Sequence, residues 1–345
     1  MVILLGVKIR ELTSPKKIEL KELKGKVIAI DTMNVLYQFL SIIIRTDTAQ
    51  PLRSESGKIT SHISGLFYRS INLIENGIKP VYVFDGKPSM LKTKTVEERK
   101  TIREEAKKTY EKALEEGDII EAYKYARTSY RITSEMIDES KQLLNIMGIP
   151  YVQAESEGES QAAYMVKKGD AYAVGSQDYD AILFGTPILI RNLAISGRRR
   201  GPGGTVIHLE PEIIFLKDIL ETYNLTQEQL IDIGIMIGTD FHKGIKGVGI
   251  KTALKYIKKY GNFKTAWEKE KFEFDGNYDA IKEIFLNPKV NKEYIIKRKK
   301  PNYDKIKDLL INEYSFNEKR VERGIARLKK ALKSQQQKSI ESFFS

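Results

Sequence analysis

The chain has 345 residues, enough for one large core or two unequal domains, with 41% hydrophobic content and no apolar run near the ~20 residues that a bilayer span needs. Cysteine is absent and histidine is limited to His62, His208 and His242; disulfides, zinc-thiolate centres and histidine-rich sites are excluded, and any metal must be held by oxygen, as suits magnesium, calcium or manganese. The net charge of +12 points to a polyanionic partner, a signature shared with Lys- and Glu-rich thermostable proteins, and the apolar start Met1 to Gly6 lacks the flanks of a secretory signal, so a soluble intracellular protein is expected.

Residues 26–31 (KVIAID) read as a buried strand ending in an acid, and 34–44 as the helix that follows. A polar loop over 45–61 precedes a helix over 62–76, stopped by Gly77. Residues 81–85 (VYVFD) are a second strand, again ending in an acid. The stretch 87–131 mixes Lys and Arg with Glu, has a weak apolar stripe and is broken at Gly117, the composition of a helix pair standing off the core. A helix over 133–147 ends at Gly148, and 171–174 (AYAV) form a third strand before GSQDYD. Strands separated by long helical crossovers predict an α/β fold with a mostly parallel central sheet covered by helices on both faces.

Residues 186–210 read as extended segments flanking SGRRRGPGG, a hairpin with a basic tip. From about 211 onward the pattern is helical, with a Thr226/Gln229 capping box opening a helix over 227–237. Residues 334–345 read as a disordered tail. Five regions result: 1–86, the charged helix pair 87–132, an internal region 133–225, a C-terminal helical region 226–333 and the tail 334–345.

Asp31, Asp85 and Asp178 each follow a predicted buried strand, and parallel strands bring such positions to one sheet edge, where α/β sites form. Glu157 and Glu159 lie at a helix start, Asp180 follows Asp178 by two, and Asp240 follows an apolar helix. Seven converging carboxylates repel one another unless cations sit among them, and the number suits two magnesium ions with outer-shell contacts. Two ions about 4 Å apart hydrolyse phosphodiesters without a histidine base or a nucleophilic serine. Singly, each acid has a plain structural reading: Asp31 as a helix cap, Asp85-Gly86 as a turn, Ser156/Glu159 as a capping box, Asp178 and Asp180 as loop acids.

The segment GIKGVGIKTA resembles the helix-hairpin-helix element of sequence-independent DNA binding. Gly244, Gly247 and Gly249 let the backbone approach a phosphate, the amides opening the helix from Lys251 point at the anion, and Lys246 and Lys251 add charge; an ordinary glycine-rich helix connection is the alternative. Such a grip on one backbone reads DNA structure rather than base sequence.

AIDTMNVLYQFL, VYVFDGKPSMLK, ESEGESQAAY, QDYDAILFG and IGTDFHKGIKGVGIKTA occur in the order of the flap endonucleases, and the chain resembles that family, in its archaeal form, over about residues 20–260. The resemblance implies a PIN-like 5′ nuclease core and a magnesium-dependent enzyme, with manganese as a substitute, that cuts 5′ flaps at single-strand/duplex junctions in replication and repair and also acts as a 5′-to-3′ exonuclease. It implies that Asp85, Glu157, Glu159 and Asp178 ligate one metal, that Asp178 and Asp180 surround the other, and that Asp31 and Asp240 act through water. Lys92 and Arg99 match a basic pair that stabilises the scissile phosphate, Tyr37 a tyrosine that stacks on a base near the cut, 87–131 a helical arch that threads a single strand, and residues near 40–60 an apolar wedge. Lys92 and Arg99 also read as solvated helix charges, and Tyr37 as a half-buried core aromatic. The start MVILLG departs from the family's Met-Gly, and no role is assigned to it.

In the tail, Gln337, Ile340, Phe343 and Phe344 match the motif that docks on the sliding clamp PCNA, with one helical turn bringing the apolar three to one side. A monomer is expected away from the clamp. The rival readings are a duplex exonuclease of the same family and a catalytically inactive branched-DNA-binding protein tethered to the clamp.

Overall fold

A computed structural model describes residues 7–45, 47–195, 197–200 and 206–341. In chain order the elements are β1 (Lys16–Lys17), β2 (Val27–Asp31), α1 (Thr32–Ile42), α2 (Ser61–Glu75), β3 (Lys79–Phe84), α3 (Thr93–Glu115), α4 (Ile119–Ser129) and α5 (Ser134–Ile146). Then follow β4 (Tyr151–Gln153), α6 (Gly158–Lys167), β5 (Ala173–Gly175), α7 (Asp180–Leu183), β6 (Ile188–Arg191), β7 (Gly197–Arg200), β8 (Val206–Leu209) and β9 (Glu212–Phe215). The remainder is α8 (Leu216–Tyr223), α9 (Gln227–Ile237), α10 (Ile250–Tyr260), α11 (Phe263–Glu270), α12 (Tyr278–Leu286), α13 (Tyr303–Lys307) and α14 (Glu318–Glu341).

Seven strands form one sheet in the order β1-β9-β6-β5-β2-β3-β4. The five from β6 to β4 run parallel, and β9 and β1 add antiparallel strands at one side. The period-2 alternation of buried strands sorts side chains between two apolar layers. Ala29, Val81 and Val83 face α6 and α9–α12, whereas Ile28, Ile30, Tyr82 and Phe84 face α1, α2, α5, α13 and α14. Regions 1–86 and 133–225 thus share one sheet, since β2 pairs with both β3 and β5.

The charged stretch forms the antiparallel helices α3 and α4, joined through Gly117. They have a small apolar cluster of their own, in which Tyr110, Ala113, Ala122 and Ala126 meet Ile44 and Ala49 of the loop after α1. The Tyr110 hydroxyl donates to the Ala49 carbonyl at 3.1 Å. The helix pair therefore rests on the loop read from sequence as a wedge.

Two expectations are corrected. The chain is not helical directly from 211: Glu212–Phe215 is strand β9, paired antiparallel with β6. Its alternating run EIIF was overshadowed by the strong helix beginning at Leu216. The hairpin expected within 186–210 is present as β7 paired antiparallel with β8; Arg198–Arg200 lie within β7, and the rest of the expected basic tip, 201–205, falls outside the described residues. The stretch 334–345 is not a disordered tail throughout, because α14 continues to Glu341. Extending an existing helix needs no new nucleus, and ALKSQQQKSIE holds neither Gly nor Pro to stop it.

Candidate metal centre and nucleic-acid interface

β2 lies between β3 and β5 with all three parallel, so their carboxyl ends open at one edge of the sheet. Asp31 is the last residue of β2, Asp85 follows β3 directly and Asp178 comes three residues after β5. Opposite them stands the start of α6, where Glu157 is the N-cap and Glu159 lies in the first turn. The expected Ser156/Glu159 capping box is absent; no side chain caps α6. Glu159 points inward instead, with its Oε1 3.1 Å from Ser176 Oγ.

Hydrogen bonds fix the acids relative to one another. Asp31 caps α1, accepting the Asn34 backbone N–H at 3.2 Å through Oδ1, while its Oδ2 lies 3.2 Å from Ser176 Oγ. One hydroxyl proton therefore serves two carboxylates in turn, those of Asp31 and Glu159. Asp85 Oδ1 accepts the Gly158 N–H at 2.7 Å. A Cβ at Gly158 would stand 2.6 Å from that oxygen and push the Asp85 carboxylate out of place. Asp178 Oδ2 accepts the Asn34 side-chain N–H at 2.8 Å. Asp31, Glu159 and Asp178 each bring an oxygen within 4.8 Å of the others. Asp180 opens α7 beneath them and accepts the Val7 backbone N–H at 2.7 Å.

Lys92 ends a short helical turn at the foot of α3. Its ammonium pairs with Glu157 and stands 3.3 Å from Asp240 Oδ2. At 15% exposure for Lys92 and Asp240 and 11% for Glu157, water screens these pairs little. Arg99 falls on α3, but its side chain lies outside the described residues. Tyr37 lines the same cleft of about 460 Å³ as Asp31, Asp85, Glu157, Glu159, Asp178 and Asp240. Arg103 and Arg131 line it as well and were not anticipated, because one long charged stretch does not tell which cations face inward.

The acids hold their protons unusually tightly. Burial pushes Asp31 up to about 6, against the pull of its hydrogen bonds and of Lys92. Burial and the charges of Asp180, Asp31 and Asp178 raise Glu159 well above the usual range, and burial with Asp180, Asp31 and Asp240 does the same to Asp178. Asp85 is raised by surrounding protein and by Asp31 and Glu157, although its exposed position at the cleft rim lets water screen part of the effect. Ionising the whole set calls for cations beyond Lys92. Glu157 Oε1 is buried with no hydrogen-bond partner among the described residues, the mark of a donor shaped for another ligand. Oxygen-only donors, one orphaned carboxylate oxygen and mutually repelling acids together fit hard divalent cations.

The loop from α9 to α10 carries the glycine-rich segment. Gly244 has φ +81°, and a Cβ there would meet Gly238 N at 2.4 Å, so the tight turn excludes a side chain. Lys246, Gly247, Gly249 and Lys251 are exposed, and α10 opens at Ile250 with Gly249 as N-cap. His242, not singled out from sequence, accepts the Gly244 N–H at Nδ1 and contacts Asp275 through Nε2 at 2.7 Å. Asp240 and the hairpin thus share one braced loop. Of the clamp motif, Gln337 and Ile340 fall on α14 with side chains outside the described residues, and Phe343 and Phe344 lie outside the described residues altogether.

The XPG N-terminal domain matches residues 5–106 and the XPG I-region residues 148–240. The chain is 50% identical to flap endonuclease 1 of Aeropyrum pernix over 334 residues, 95% of each protein. It is 50% identical to that of Pyrococcus abyssi over 344 residues, 99% of this chain and 98% of the relative. The structure of flap endonuclease-1 from Methanococcus jannaschii superposes with a TM-score of 0.76 at 41% identity, covering 95% of this chain and 99% of that one. The catalytic core of Rad2 in complex with DNA substrate shares the fold, with a TM-score of 0.66 at 23% identity over 92% of this chain and 96% of that one. Among the described residues no helix is long and apolar enough to cross a membrane. With an acidic cleft at the sheet edge, a glycine-rich hairpin beside it and relatives matched from end to end, the chain belongs to the flap endonuclease 1 family of metal-dependent, structure-specific nucleases.

Proposed function

We propose that this nuclease releases 5′ flaps from branched DNA by two-metal hydrolysis with magnesium, in replication and repair, and trims 5′ ends as an exonuclease. The convergence of Asp31, Glu159 and Asp178 within 4.8 Å, from three distant parts of the chain, carries the reading. Asp85, Glu157, Glu159 and Asp178 would hold one cation and Asp178 and Asp180 the other, with Asp31 and Asp240 acting through water. Bound there, divalent cations supply Lewis-acid polarisation of the phosphodiester and acidify the attacking water.

The protein groups do the rest. Lys92 and Arg99 at the foot of α3 meet the scissile phosphate and stabilise its developing charge. Tyr37 in the cleft stacks on a base beside the cut. The α3–α4 pair, as an arch, guides the 5′ single strand, and the loop after α1 on which it rests acts as the junction wedge. The hairpin at Gly244–Lys251 holds the duplex by one phosphate backbone. The C-terminal segment with Gln337, Ile340, Phe343 and Phe344 tethers the enzyme to PCNA, the enzyme itself being monomeric and intracellular.

One labelled double-flap substrate with magnesium tests the activity. The flap is expected to leave as a single intact oligonucleotide cut at the junction. Release of mononucleotides alone would mean an exonuclease, and uncut bound DNA would mean an inactive branch-binding protein.

A further inference from the structure

Asn34 has no part in the metal assignment above, yet it touches two of the three most closely grouped acids. It sits one turn into α1, three residues after Asp31. Its backbone N–H donates to Asp31 Oδ1 at 3.2 Å and its side-chain Nδ2–H to Asp178 Oδ2 at 2.8 Å. The second bond is a direct side-chain donation to the Asp178 carboxylate.

The orientation of the carboxamide follows from its neighbours. The Gln177 backbone N–H, a donor without alternative, faces Asn34 Oδ1 at 3.4 Å, and Gln38 Nε2 donates to the same oxygen. With Oδ1 occupied from two sides, Nδ2 is left to face Asp178. We propose that Asn34 is a positioning residue of the metal centre, holding the ionised Asp178 carboxylate in its ligating orientation and locking the Gln177–Asp178 loop to α1.

Electrostatics point the same way. A donor aimed at a carboxylate stabilises its charged form, the form that binds a cation. Because Tyr37 and Gln38 lie on the same helix, α1 couples the cleft wall to the ligand.

The inference rests on Asp178 being a metal ligand, and the test separates the two. Manganese binding to the DNA-free protein is followed by electron paramagnetic resonance for wild type, for Asn34→Leu and for Asp178→Asn, the last as a control on the ligand itself. Asn34→Leu keeps the branching of the native side chain at Cγ but donates nothing; Asn34→Ala, which favours helix, serves as a second variant if the first does not fold. Expected is a loss of manganese affinity of about 10- to 100-fold at a nearly unchanged melting temperature. Saturating magnesium should restore most of the single-turnover cleavage rate, since Asn34 touches no reacting atom. Unchanged manganese affinity in the Asn34 variants, with affinity lost in Asp178→Asn, would overturn the positioning role alone. Unchanged affinity in all of them would overturn the ligand assignment together with it.

Discussion

Lys92 Nζ stands 3.3 Å from Asp240 Oδ2, so the foot of α3 is tied to the acid that opens the hairpin loop. The same ammonium pairs with Glu157, and burial is outweighed by Glu157 and Asp240 in raising its proton affinity, so it stays charged throughout the working range. Lys92→Ala is expected to slow single-turnover cleavage by about 10²–10³-fold, the usual cost of one preorganised charge donor, while flap binding in calcium changes by less than about tenfold. An unchanged single-turnover rate contradicts the role given to Lys92.

Metal-free stability should depend on pH with a definite sign. Burial raises Asp31 from its ordinary 3.8 to about 6, so between those values the folded protein binds more protons than the unfolded chain. This contribution is complete below pH 3.8 and is lost as pH rises through about 6. Glu159 and Asp178 are raised by the same causes and extend the loss upward. The melting temperature without metal is thus expected to fall from pH 5 to about 7, and calcium to reverse the fall with an affinity that rises over the same interval, because the ligands must release protons. Scanning calorimetry with chelator and with calcium checks both, and a flat metal-free profile contradicts the electrostatic picture.

Lys246 and Lys251 are exposed around the glycine-rich turn for which a phosphate grip is proposed. Lys246→Ala and Lys251→Ala should each weaken DNA binding equally for every base sequence and lower the salt slope by about one ion. Titrations at several salt concentrations measure this. A loss confined to particular sequences would mean base contacts instead.

Removing residues 337–345 should leave flap cutting by the free enzyme unchanged and abolish its stimulation by PCNA. Rates with and without the clamp decide the matter, and stimulation that survives truncation places the docking motif elsewhere.

Much of the centre was legible because parallel strands bring their carboxyl ends to one edge, so an acid after each buried run is a spatial statement. Asp31 shows the limit of reading one acid alone: it caps α1 and lies in the cluster, so both readings hold. Glu159 resolved the other way, since its motif suggested a cap and the chain turned it toward Ser176. Asn34, Ser176 and Val7 were invisible beforehand, because each reaches one of the acids across more than 140 positions of the chain, and no spacing encodes such a contact. Strand β9 was missed because four residues beside a long helix carry too short an alternation to stand out.

The most direct test of the whole account is the anomalous scattering of manganese in crystals of the enzyme. Two peaks about 4 Å apart are expected among the carboxylates of Asp85, Glu157, Glu159, Asp178 and Asp180. Manganese bound elsewhere, or these side chains turned onto separate surfaces with no shared ion, would contradict it.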